Sequence, residues 1–150
     1  MDAMTRKLTR ALWIGAAGAA LLLAGCSYVP TVIPGGERVG VKLSGSEEVP
    51  PVEVVGTGSG HIAVSKDGEV SGSITTTDVA GVAAHIHIGA KGKNGPVIIP
   101  LKKTDPNTWV VPEGAKLTES QLAAYKKGDL YVNVHTARHK GGEVRAQIVP

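Results

Sequence analysis

Beyond residue 36, apolar and polar positions alternate with a period of two in short runs bounded by glycine and proline. That is the pattern of strands with one face toward a core. The spacing predicts strands over Val39 to Leu43, His61 to Ser65, Val70 to Thr77, Ala84 to Ile88, Val97 to Leu101, Trp109 to Val111, Leu130 to Thr136 and Glu143 to Val149. Lys66-Asp67-Gly68-Glu69 is a hairpin turn between two of them. One segment departs from the alternation. Thr118-Glu119-Ser120-Gln121 fits a capping box, Leu122 and Tyr125 recur at helical spacing, and Gly128 suits a C-terminal cap. The expected fold is all-β, a Greek-key β-sandwich or barrel with one short helix.

A different pattern occupies the start of the chain. Arg6, Lys7 and Arg10 precede an apolar run from Ala11 to Leu23, which closes on Leu23-Ala24-Gly25-Cys26. A basic head, a short apolar stretch and a small-residue cleavage site make a signal peptide over residues 1–25, and the ending resembles a bacterial lipobox. The run falls short of the roughly 20 apolar residues that span a bilayer. On this resemblance Cys26 is the lipidated first residue of the mature chain, and its acyl chains hold the protein on a membrane. Residues 26–36, with two prolines and two glycines, read as a tether, and residues 37–150 as one domain. The expected location is the cell envelope, on the periplasmic face of the outer membrane if the cell has two membranes, where another envelope protein is a possible partner.

Removing the signal changes the charge. It carries three of the sixteen basic residues and one of the thirteen acidic ones, leaving a mature chain close to neutral. A near-neutral surface without a basic patch speaks against nucleic acid as a partner. Cys26 is the only cysteine, so an intrachain disulfide and a thiolate cluster are both excluded. Phenylalanine is absent and Trp109 is the one tryptophan after the signal. The core must be built from Val, Ile, Leu and Ala, and stacking platforms for sugars or single strands are wanting.

Chemistry concentrates in the histidines. Side chains alternate between the faces of a strand. His85 and His87 therefore share one face while Ala84, Ile86 and Ile88 share the other. His135 falls with Tyr131 and Asn133, opposite Leu130, Val132 and Val134, and His61 falls opposite Ile62 and Val64. Residues two apart on a strand have Cα atoms about 6.6 Å apart, a span that two imidazoles bridge to one ion. A polar face in water collects histidines too, so the HxH spacing alone leaves both readings standing. On the metal reading His85, His87 and His135 are the central ligands, His61 and His139 supplement them, and Tyr131, Asn133, Glu143 and Arg145 are their outer neighbours. Glu143 and Arg145 are also placed to form a cross-strand pair. With no sulfur ligand in the domain, imidazole favours Cu(II), with Zn(II) as the alternative.

Three blocks, LSGSEEVPPV (43–52), AAHIHIGAKGKNGPVIIPL (83–101) and LYVNVHTARHKGGEVRAQI (130–148), resemble in order and spacing the CHRD domain, named for chordin and widespread in exported bacterial proteins. The resemblance implies an all-β domain, and its pattern takes in His85, His87, Asn133, His135, Glu143, Arg145 and Gln147. His61, His139, Lys140 and Ala146 depart from that pattern. AAHIHIG is also similar to the HxH strand of copper/zinc superoxide dismutase, although that enzyme's disulfide and zinc-loop aspartate have no counterpart. The function expected is copper buffering, tolerance or delivery in the envelope without turnover. A metal-free β-sandwich adhesion or interaction module and a dismutase-like copper enzyme are the alternatives.

Overall fold

The computed structural model describes residues 36–150; the signal peptide, Cys26 and nearly all of the tether lie outside the described residues. The strands are β1 (Glu37–Ser44), β2 (Thr57–Val64), β3 (Val70–Thr77), β4 (Gly81–Ile88), β5 (Val97–Pro100), β6 (Lys102–Asp105), β7 (Thr108–Val110), β8 (Leu130–Thr136) and β9 (Val144–Ile148). A helix, α1 (Glu119–Lys126), lies between β7 and β8. All pairings are antiparallel, in the order β5-β4-β8-β9-β1-β2-β3-β7-β6. The two edge strands, β5 and β6, follow each other in the chain with only Leu101 between them. Leu101 N–H donates to the Ala84 carbonyl at 2.9 Å, and Lys103 Nζ donates to the Gly81 carbonyl at 2.7 Å. The sheet therefore curls into a nearly closed barrel.

Inward-facing residues follow the alternation read from the sequence. Ile62 pairs with Val39, Ile74 with Trp109, and Ile86 with both Ile99 and Val132. These side chains and Leu43, Leu130, Val134, Val144 and Ile148 form one aliphatic core, with Trp109 as its largest member. At one end, α1 lowers Tyr125 toward Ile62, Ile86, Leu130 and Ile148. Its start is the expected capping box: Gln121 N–H donates to Thr118 Oγ1 at 3.2 Å, and Thr118 N–H donates to Gln121 Oε1 at 2.9 Å. Gly128 follows in the left-handed region at φ +75°, where a side chain is disfavoured.

Strand ends shift by one to three residues in places, β4 starting at Gly81 and β9 at Val144, and two features differ more from the sequence expectation. The run Lys102–Asp105 forms β6 although all four side chains are exposed. It pairs through its backbone with β7 and buries no face of its own, so it leaves no hydrophobic period. β2 begins at Thr57 rather than near His61. Its first half, Thr57-Gly58-Ser59-Gly60, has little strand propensity. It is extended because β1 and β3 supply backbone partners on both sides.

Candidate metal site on the covered polar face

The outer face of β4, β8 and β9 is where the polar members of the alternation collect. Register sets them in rows: His87 opposite Tyr131 opposite Gln147, then His85 opposite Asn133 opposite Arg145, with His135 opposite Ala83 beyond. In a simple barrel this face would be wet. Here it is not, since His87, Tyr131, Asn133 and Arg145 are all buried. The Gly89–Pro96 loop, the turn from Ala137 to Gly142 and the segment after β1 fold over it.

Backbone carbonyls of these loops seize the polar side chains. The His87 ring donates from Nδ1 to the Gly95 carbonyl at 2.9 Å, and His135 donates from Nδ1 to the Lys140 carbonyl at 2.9 Å. A carbonyl only accepts, so each contact fixes the proton on Nδ1 and makes Nε2 the nitrogen that carries the lone pair. Gly95 lies so close to Ile88 that a Cβ there would collide with its carbonyl oxygen. Only glycine lets the loop descend far enough to reach His87. Arg145 donates to the Lys93 carbonyl at 2.9 Å and to Asn94 Oδ1 at 3.1 Å. Asn94 Nδ2 in turn donates to the Val49 carbonyl at 2.7 Å, joining two of the covering segments.

Beneath that clamp the rings are ordered. His87 stacks on Tyr131 with centroids 4.6 Å apart and planes 8° from parallel, and the Arg145 guanidinium carbon lies 3.5 Å from the Tyr131 centroid. Tyr131 OH accepts from Gly95 N–H at 3.2 Å. His85 Nδ1 approaches His135 Nε2 to 3.0 Å. With His135 Nδ1 already bonded, His85 is the donor across that contact. His87 Nε2 is buried and has no partner.

One ligand atom from each of His85, His87 and His135 lies within 4.8 Å of the others. A tetrahedral ion with bonds near 2.05 Å needs nitrogens about 3.3 Å apart, so modest ring movements complete the set. Burial holds His87 below the usual histidine range, outweighing the Gly95 carbonyl and the Asn133 side chain that favour the charged ring; the nearby His135 and Arg145 add smaller downward pushes. His85 is lowered mainly by burial and further by His135 and His87. Both pressures favour the neutral imidazole, the form that binds metal.

The family profile described as the CHRD domain matches residues 39–148. The chain belongs to the CHRD family. No functionally curated protein and no solved structure matches it.

Within this CHRD domain the expected site residues divide. His85, His87 and His135 converge, whereas His61 and His139 do not join the group. His61 faces away on β2, with β9 and β1 between its strand and β8, about 14 Å at the usual strand spacing. There its Nδ1 meets Arg38 Nη2 at 2.9 Å, and burial and the Arg38 charge lower its pKa. His139 serves the turn: its N–H donates to Thr136 Oγ1 at 3.0 Å and its carbonyl accepts from Thr136 and Gly142. Glu143 and Arg145 form no ion pair, since Glu143 Oε2 accepts from Thr136 Oγ1 at 2.6 Å and Arg145 is engaged by the Lys93–Asn94 segment.

Sequence reasoning passed over Glu48. This residue of the CHRD domain is 4% exposed and its Oε1 has no partner. Burial pushes its pKa up to about 7 against the pull of Arg145 and Asn133. Gly142 marks its place, because a Cβ there would strike Glu48 Oε1 and come within 2.6 Å of Asn133 Nδ2. The only sequence signal for this contact was a glycine pair followed by the β9 strand, and nothing local connects it to residue 48.

Proposed function

We propose that this CHRD domain is a metal-binding module of the cell envelope that holds a copper ion, as Cu(II), through His85, His87 and His135. The lone pair on His87 Nε2 carries this reading. It is buried without a hydrogen-bond donor, a state that costs about 1–3 kcal/mol and that a cation relieves. Two rings whose Nδ1 protons are tied to backbone carbonyls have the outer hydrogen bonding that orients metal-binding histidines. All-nitrogen imidazole donors favour Cu(II) by the usual order of divalent affinities, with Zn(II) next. Tethered at Cys26, such a domain buffers copper at the membrane or passes it to another envelope protein. His85 is half-exposed and gives the ion a route in and out.

The test is a titration of the purified protein with Cu(II) and with Zn(II), repeated on His85→Ala and His87→Ala. One ion per chain, lost in both variants, is the expected result. Equal weak binding by wild type and variants overturns the metal reading and favours an interaction module. Mass spectrometry of the membrane fraction, with Cys26→Ala as control, checks the anchor.

A further inference from the structure

We infer that the side-chain oxygen of Asn133 is the fourth ligand of the histidine site, making it an N3O site for a divalent ion. This rests on the metal reading above and completes the ligand set.

Asn133 is the one side chain adjacent to all three histidines. It lies directly opposite His85 in register, diagonal to His87, and two residues before His135 on the same face. It is 2% exposed, and Oδ1 has no partner. The orientation of the amide is fixed by its other end. Nδ2 donates to the Gly141 carbonyl at 3.4 Å, and the Glu48 carboxyl lies against the same side at Gly142. Reversing the amide would set oxygen against two acceptors. Oδ1 therefore points away from Gly141 and Glu48, toward the histidines.

On that side the neutral His87 ring offers no donor. His135 Nε2 takes the proton of His85, and His87, whose proton sits on Nδ1 toward the Gly95 carbonyl, turns an acceptor nitrogen toward Asn133. Two buried lone pairs, one oxygen and one nitrogen, thus line the same space. A cation satisfies both at once. Amide oxygen is a hard donor, and adding it to three imidazoles favours Cu(II) or Zn(II) over the softer Cu(I).

Competition titrations with Zn(II) on wild type, Asn133→Ala and Asn133→Asp test this, with metal-free melting curves as a folding control. Asn133→Ala should bind at least tenfold more weakly, the scale set by loss of a metal site's outer partners. Asn133→Asp should bind as tightly as wild type or more so, since a carboxylate is the stronger ligand. In ¹⁵N-labelled wild type, the Asn133 side-chain amide resonances should shift in step with Zn(II) loading. The inference is overturned if Asn133→Asp weakens binding as much as Asn133→Ala, or if the amide resonances stay in place while the histidines respond. If wild type takes up no Zn(II) or Cu(II), the metal reading fails first and this falls with it.

Discussion

Glu48→Gln tests how the covered polar face is held. Burial raises the Glu48 carboxyl to about 7, from 4.5 for a free side chain. Below pH 4.5 the group is protonated in both folded and unfolded chains, and folding is not penalised. Between the two values the unfolded chain releases the proton while the folded one keeps it, so stability falls as pH rises. Above about 7 both forms are ionised and the loss is complete. A difference of 2.5 units corresponds to about 3 kcal/mol as an upper figure. Gln has nearly the same shape and never ionises. In EDTA, Glu48→Gln should melt close to wild type at pH 5 and clearly above it at pH 8. With about 4 °C per kcal/mol for a chain of this size, the gap reaches on the order of 10 °C. Other titrating groups act equally on both proteins and cancel in the difference. A melting gap that stays constant from pH 5 to pH 8, or that widens toward acid, refutes the buried-carboxyl account.

Other expectations concern the site and the core. Saturating Zn(II) or Cu(II) at a hundred times Kd should stabilise the wild type by about 2.7 kcal/mol; differential scanning should show this lost in His87→Ala and His135→Ala and kept in His61→Ala and His139→Ala. Gly142→Ala touches no histidine, yet its Cβ would displace Glu48 and Asn133, at a backbone φ of +131°. It should destabilise by about 1–3 kcal/mol and weaken metal binding in the same titration, while binding like wild type would show that Asn133 had not moved. Trp109→Ala, at a position 2% exposed, should cost about 3–5 kcal/mol in urea unfolding. Metal affinity measured where that variant is still folded should be unchanged, because the Trp109 ring lies on the inner face, against Gly81 and Val134, while the histidine rows stand on the outer face of the same strands.

Much of the barrel was legible because its strands bury one face. Val70–Thr77 and Leu130–Thr136 were readable to the residue, since strict alternation ends at turn-forming neighbours in both. The helix was equally plain, because a capping box is a local contact three residues wide. β6 was invisible for the converse reason: Lys102–Asp105 owes its conformation to the β7 backbone and to its place beside the barrel seam.

The histidine cluster was half legible. Alternation placed His85, His87 and His135 away from the core, and the register confirms that sorting. It sorted His61 in the same way, and there it misled, because period two assigns a residue to a face and says nothing of where around the barrel that face points. His61 lies on the outside of β2, paired with Arg38.

The sequence by itself determined the all-β class, the inward-facing set, the helix and the outward direction of the histidines, each through periodicities or contacts spanning a few residues. Only the tertiary structure decided that the outward face is buried, that Gly95 and Lys140 carbonyls lock two imidazoles in one tautomer, and that Glu48 and Asn133 lie together beside them. Those contacts join positions up to 94 residues apart, from Glu48 to Gly142. They depend on strand order and loop descent, which no local pattern encodes.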